Sequence, residues 1–215
     1  MVRETLTREK VLEAALRLVD EHGMSALSMR KLAAELGVEA MSLYNHVKNK
    51  GDLLDGITAH VFESVPLPDE GWGWETRVRH LTNGLYTVFT RHPAVVRTLA
   101  AEEANPRSPG ALRMMDALVG ALLDSGLDEA AAARGYRSLM GLTFGAALAD
   151  SVGLAGTPAE REEPVDDWFA RMVNPREHPN LVRVLPALES VDCVQDFQEQ
   201  LNLLVAGLRV SAARS

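Results

Sequence analysis

Apolar side chains recur every three to four residues along this chain and almost nowhere alternate, so the pattern predicts helices. Val11, Leu12, Ala15, Leu16, Leu18 and Val19 form the first stripe, with Thr7 as its N-cap and Gly23 as a left-handed stop. Ser28 caps a short second helix holding Leu32, Ala33 and Leu36, and Gly37 turns the chain. Glu39 or Ala40 opens a third helix with Met41, Leu43, Tyr44 and Val47. Asn49 caps a fourth with Leu53, Leu54, Ile57, Val61 and Phe62.

The run SVPLPDEGWG at 64–73 has two prolines and two glycines and no helical period, which marks a connection between domains. Beyond it a long amphipathic helix carries Trp74, Val78, Leu81, Leu85, Val88 and Phe89. Pro93 starts a short helix, NPRSPG (105–110) is a loop, and Leu112 to Leu122 form the next helix. A long helix covers about 129–152, followed by a polar loop at 153–164. Short helices surround Trp168 and Leu181, and a last helix covers about 191–212. The expected architecture is all-α: a helix-turn-helix head on residues 1–64 and a larger helical domain on 65–215.

Composition refines this. The 215 residues are 47% hydrophobic but only 5% aromatic, enough for one large or two small cores. The formal net charge is −8, yet all four lysines (Lys10, Lys31, Lys48, Lys50) fall in the first fifty residues. Over 28–50, Arg30, Lys31, Lys48 and Lys50 face only Glu35 and Glu39. A locally basic face on an acidic body can hold phosphate while the body repels DNA elsewhere, although a solvated helix surface has the same composition. The single cysteine, Cys193, excludes an intrachain disulfide and reads as a buried small hydrophobe. MVRETLTREK has no apolar signal-peptide core, and no apolar run reaches the ~18 residues that span a bilayer. A cytoplasmic protein is expected.

The chemistry concentrates in MSALSMRKLAAELGVEAMSLYNHVKNK (24–50). A glycine turn between two short helices, packed by Leu32, Leu36, Val38 and Leu43, lets the second helix enter a major groove. Helix-start amides, hydroxyls and cations hold phosphates, and the outer face meets base edges.

The segment LTREKVLEAALRLVDEHGMSALSMRKLAAELGVEAMSLYNHVKNKGDLLDGI closely resembles the N-terminal domain of the TetR family. The C-terminal part is similar, more weakly, to the tetracycline-repressor-like branch, through the break after 64, the helix order and the closing FQEQLNLLVAGL. The resemblance implies an all-α homodimer whose core binds a small molecule that releases a palindromic DNA operator. By position it puts Met29 and Arg30 on DNA at the start of the second helix. It puts Ala40, Met41, Ser42, Tyr44, Asn45 and His46 on the recognition helix, and Lys50 on a phosphate. Tyr44 and His46 also fit structural roles, and Met29 and Met41 also fit packing roles. Ala40 and Met41 stand where the tetracycline repressor has Gln-Pro, and Asn45 where it has Trp, so a different operator is expected. Ala and Met offer apolar contact to thymine methyls, and Asn45 could pair with adenine.

For the effector the resemblance points inside the helices from 74 to about 150. The candidates are Leu81, Leu85, Leu99, Met114, Met115, Met140 and Phe144, with Asn83, Tyr86 or Arg97 as polar anchors. Trp168 and Phe169 would close the pocket from the partner subunit. Each apolar candidate also fits plain core. Where the tetracycline repressor has a magnesium-liganding His and its acidic partner, this chain has Leu99 and Ala149. A magnesium–tetracycline chelate then lacks its anchors. A hydrophobic or amphipathic effector is expected, with no metal or cofactor.

The dimer candidates are Gly141, Gly145 and Ala149 on the 129–152 helix, and Phe197, Leu201, Leu204 and Leu208 on the last helix. Intramolecular packing is the alternative for both sets. The expected function is a DNA-binding transcriptional repressor released by a small molecule. An activator or ligand-insensitive regulator would read the same. A small-molecule-modifying protein with a vestigial head finds no support: the six histidines form no metal motif, and no nucleophile elbow or phosphate loop occurs.

Overall fold

The computed structural model describes residues 5–101, 105, 108–152, 171–189 and 192–214. These form ten α-helices and no strand. The first four are α1 (Arg8–His22), α2 (Met29–Glu35), α3 (Ala40–Leu43) and α4 (Lys50–Glu63). The rest are α5 (Trp74–Arg91), α6 (Pro93–Ala100), α7 (Pro109–Leu123), α8 (Glu129–Val152), α9 (Pro179–Glu189) and α10 (Cys193–Ala212). The expected all-α class is the observed one.

Local chemistry sets the ends of the first helices. The Thr7 hydroxyl accepts from the Lys10 amide at 3.3 Å, Ser28 from Lys31 at 3.2 Å, and Asn49 from Asp52 at 2.9 Å. Gly23 has the positive φ of 76° expected of it. Its ψ of 167° is extended rather than left-handed helical, and it leads directly into a 3-10 turn, Met24–Ala26.

The recognition helix is shorter than its sequence pattern suggests. Only Ala40–Leu43 is α-helical, and Tyr44 to His46 continue as tight turns, with amide bonds back to Met41, Ser42 and Leu43. Asn and His are weak helix formers. Two contacts from outside also take up the backbone here. Arg8 donates to the His46 carbonyl at 2.6 Å, and the Asp52 carboxylate accepts the Lys48 amide at 2.8 Å.

The core runs without a break from the head into the body, and α4 carries it across. Leu53, Ile57, Val61 and Phe62 are buried on α4, which packs on α1 at one side and on α7 at the other. Gly56 permits the first of these contacts, because a Cβ there would sit 2.6 Å from a Leu12 methyl. In the body, α5 packs on α7 and α8, and α10 packs on α8. An aromatic ladder ties three helices together: Phe62 meets Phe89 edge-on at 5.4 Å, and Phe89 stacks on Phe144 at 4.8 Å.

Phe197 and Leu201, expected at a dimer interface, are fully buried within the single chain and Leu208 is 8% exposed, on the side of α10 that meets α5 and α8. Their spacing marked a buried stripe and could not say whose core it joins. The outward face of α10 instead carries Leu203, 75% exposed, and Val210, 53% exposed. Cys193 is exposed rather than buried, because it stands in the first turn of α10, one turn before burial of that helix begins at Phe197. A hydrogen bond from its thiol to Asp150 is the main cause raising its pKa. Trp168 and Phe169 lie outside the described residues.

Candidate nucleic-acid interface and ligand cavity

The head's geometry follows from α2, the turn and α3. Leu32 and Leu43 are fully buried where the two helices cross. Gly37 adopts φ +63°, a left-handed conformation that disfavours any other side chain, and the Val38 amide returns to the Ala33 carbonyl at 3.0 Å. This turn presents one face of α2 and α3 to solvent. Arg30, Lys31, Asn45 and Lys50 are exposed on the head, Met41 is 72% exposed and Tyr44 45%. Ser42 and His46 are half-buried at the edge of this face, and Met29 and Ala40 pack partly against the core. Arg30, Lys31 and Lys50 form no ion pair among the described residues. A large exposed methionine and a tyrosine beside unpaired cations suit contact with a surface that is anionic outside and apolar within.

Arg8 and Asp52 brace this face from behind. The Arg8 guanidinium donates to both Asp52 oxygens at 2.8 and 3.2 Å, as well as to the His46 carbonyl. The hydrogen bond from Arg8, then the Lys48 amide and the two positive charges, hold the Asp52 carboxyl below the usual carboxylate range despite partial desolvation. One carboxylate thereby ties α1, the recognition turn and the start of α4 together. Nothing local in the sequence marks this pair, since its partners lie forty-four positions apart.

In the body, α4, α6, α7 and α8 line an open-mouthed cavity of about 570 Å³. That volume falls within the roughly 300–1,000 Å³ of small-molecule sites. Its walls are Phe62, Leu99, Leu112, Met115, Tyr136, Met140 and Phe144, with Asn105, Ser108 and Pro109 at the segment leading into α7. Of the sequence candidates, Leu99, Met115, Met140 and Phe144 line this space and six do not. Leu81, Leu85 and Met114 are buried in the core. Asn83 bonds Gln198 at 2.7 Å, and Arg97 points to solvent. Tyr86 stacks on Phe197 at 3.9 Å and donates to Asp150 at 2.5 Å, and burial raises its phenol pKa further. Tyr136 was missed although its spacing from Met140 and Phe144 puts all three on one helix face. Phe62 was missed because it reads as core of the connecting helix.

A second space of about 530 Å³ adjoins the cavity, sharing Ser108 and Pro109 with it, and lies between α1, α4 and the start of α7. Glu9, Asp55, His60 and Glu63 line it, beside the Arg8–Asp52 pair. Asp55 accepts the Asn105 amide at 2.7 Å, and Glu63 accepts the Ser108 hydroxyl.

Gly141 and Gly145 are exposed on α8, and a Cβ at either would meet nothing within 4 Å. Ala149 and Leu204 are half-buried. No helix among the described residues is long and apolar enough to cross a membrane.

Residues 11–57 match the family of bacterial regulatory proteins of the tetR type, and residues 66–212 match the tetracyclin-repressor-like C-terminal domain. A regulator of the helix-turn-helix type from Saccharopolyspora erythraea is 32% identical over 96% of this chain and 86% of its own length. The transcriptional repressor DrrR1 of Streptomyces coeruleorubidus is 31% identical over 79% of this chain, a match that spans 63% of that repressor. The crystal structure of the TetR-family protein ActR from Streptomyces coelicolor in complex with actinorhodin superposes with a TM-score of 0.80 at 30% identity. That superposition covers 97% of this chain and 99% of the other.

Proposed function

The chain belongs to the TetR family of bacterial transcriptional regulators, and on that premise we propose that it is a repressor that leaves a palindromic operator when a small molecule fills its cavity. The observation that carries this reading is the reach of α4. Phe62, near the end of that helix, forms part of the cavity wall, and Asp52, in its first turn, braces the recognition turn. Ten residues of helix separate them, about 15 Å. A ligand pressing on Phe62 and Phe144 moves α4, and α4 re-aims the recognition segment. Such couplings are typically ~1–3 kcal/mol.

Arg30 and Lys50 take phosphates or guanine, Tyr44, Ser42 and His46 clamp the backbone, and Met29, Ala40, Met41 and Asn45 meet base edges. Two copies join through the outward faces of α8 and α10, where Gly141, Gly145, Leu203 and Val210 lie open. The two-fold axis sets the recognition segments about 34–36 Å apart, one helical turn of DNA. Residues 1–64 form the DNA-binding unit and 65–215 the effector and dimer unit of a cytoplasmic protein. The effector is not a magnesium–tetracycline chelate: Leu99 lines the cavity where a metal-binding histidine would be needed, and none of the described residues lining it carries a carboxylate.

Fluorescence anisotropy on the chain's own upstream intergenic DNA tests the assignment. Arg30→Ala and Tyr44→Ala should each weaken binding at least about tenfold, the equivalent of ~1.4 kcal/mol, with the dimer intact by sedimentation. Unchanged binding in both would remove the residue assignments.

A further inference from the structure

We propose that the effector is a hydrophobic cation, an aromatic body carrying an amine or quaternary ammonium group; this rests on the effector-released reading above. Two independent features point the same way. The cavity presents three rings, Phe62, Tyr136 and Phe144, together with the thioethers of Met115 and Met140, and none of the described residues lining it is basic. Ring faces attract cations, and thioethers adapt to flat apolar bodies. The adjoining space then places Glu9, Asp55 and Glu63 beyond Ser108 and Pro109, which border both. An apolar body of cavity size with a short charged arm spans the two.

Two arginines among the described residues border these spaces. Arg8 is committed to Asp52 in a two-point pair. Arg113 borders a separate cleft of about 320 Å³ that Glu63 also lines, so part of the Glu63 charge is answered there. Glu63 is exposed, and among the described residues its side-chain bond is to a neutral hydroxyl. An ammonium group in the groove therefore finds a carboxylate without having to break an ion pair at Glu63.

The test uses three biphenyl probes of one shape and different charge: 4-phenylbenzylamine, 4-phenylbenzyl alcohol and biphenyl-4-carboxylate. Their affinities for the full-length protein are measured by calorimetry at about pH 7.5, and their ability to release operator DNA by anisotropy. The amine should bind best and the carboxylate worst, with a span of about tenfold. Removing one exposed rim charge by Glu63→Gln should shrink that span about threefold. Met140→Trp, which fills the cavity, should abolish binding of the amine. A carboxylate that binds as tightly as the amine overturns the proposal, as does a span unchanged in both Glu63→Gln and Asp55→Asn. If the carboxylate is preferred and releases operator, the cationic class falls while the repressor reading stands. If none of the probes binds and the protein holds no operator, both fall.

Discussion

Replacing Asp52 by alanine isolates the brace between the head and the connecting helix. The carboxylate accepts two bonds from Arg8 and one from the Lys48 amide. The Arg8 pair is solvent-accessible at both partners, so screening limits it to ~0.5–1 kcal/mol. The amide bond contributes ~1 kcal/mol and the acidic charge at the start of α4 ~0.5 kcal/mol. The sum is ~2 kcal/mol, which for a chain of this size lowers Tm by ~4–8 °C. Thermal unfolding followed by circular dichroism at pH 7, at one fixed protomer concentration, reads it directly. The pH dependence gives a second check. The folded-state pKa of Asp52 is depressed, so its contribution is fully present above the unfolded value of ~3.9 and is lost as pH falls through the folded value. Wild type and variant should therefore converge below about pH 4. A Tm change under ~1 °C at pH 7, or a gap that persists undiminished into strong acid, would refute the bracing role.

Three further outcomes follow from the same structure. Phe197→Ala, which empties a fully buried site stacked on Tyr86, should cost ~3–5 kcal/mol in urea unfolding. Leu203→Arg should leave the fold intact by circular dichroism and convert the protein to a monomer in sedimentation, since it places charge on the outward face of α10. A dimer contacting ~6–10 phosphates should lose ~10³–10⁵ in operator affinity between ~50 and 200 mM salt, and a flat response would exclude a phosphate-dominated interface.

Helix positions were legible in the sequence wherever period and cap agreed. Thr7, Ser28 and Asn49 each cap the helix assigned to them, because an N-cap is a three-residue interaction. The shortening of the third helix was not legible, because the groups that hold its backbone, Arg8 and Asp52, come from other helices. The same limit explains the last helix. Periodicity found the stripe through Phe197, Leu201 and Leu208 but not the identity of its neighbour, while exposed Leu203 breaks the pattern and passed unnoticed. In the body, adjacent Met114 and Met115 show how little a list of apolar residues fixes. The ~100° between successive helical positions buries one in the core and gives the other to the cavity. The acidic groove beside that cavity draws on α1, α4 and the start of α7, so no local window contains it.

The account depends on a paired molecule seating two Ala40–His46 segments in consecutive major grooves. Nuclease footprinting of the purified protein on its own upstream intergenic DNA tests this most directly. The expected result is one protected inverted repeat with half-site centres about 10 base pairs apart, lost in Arg30→Ala. Protection without two-fold symmetry, or no protection on that DNA or across the genome, would contradict it.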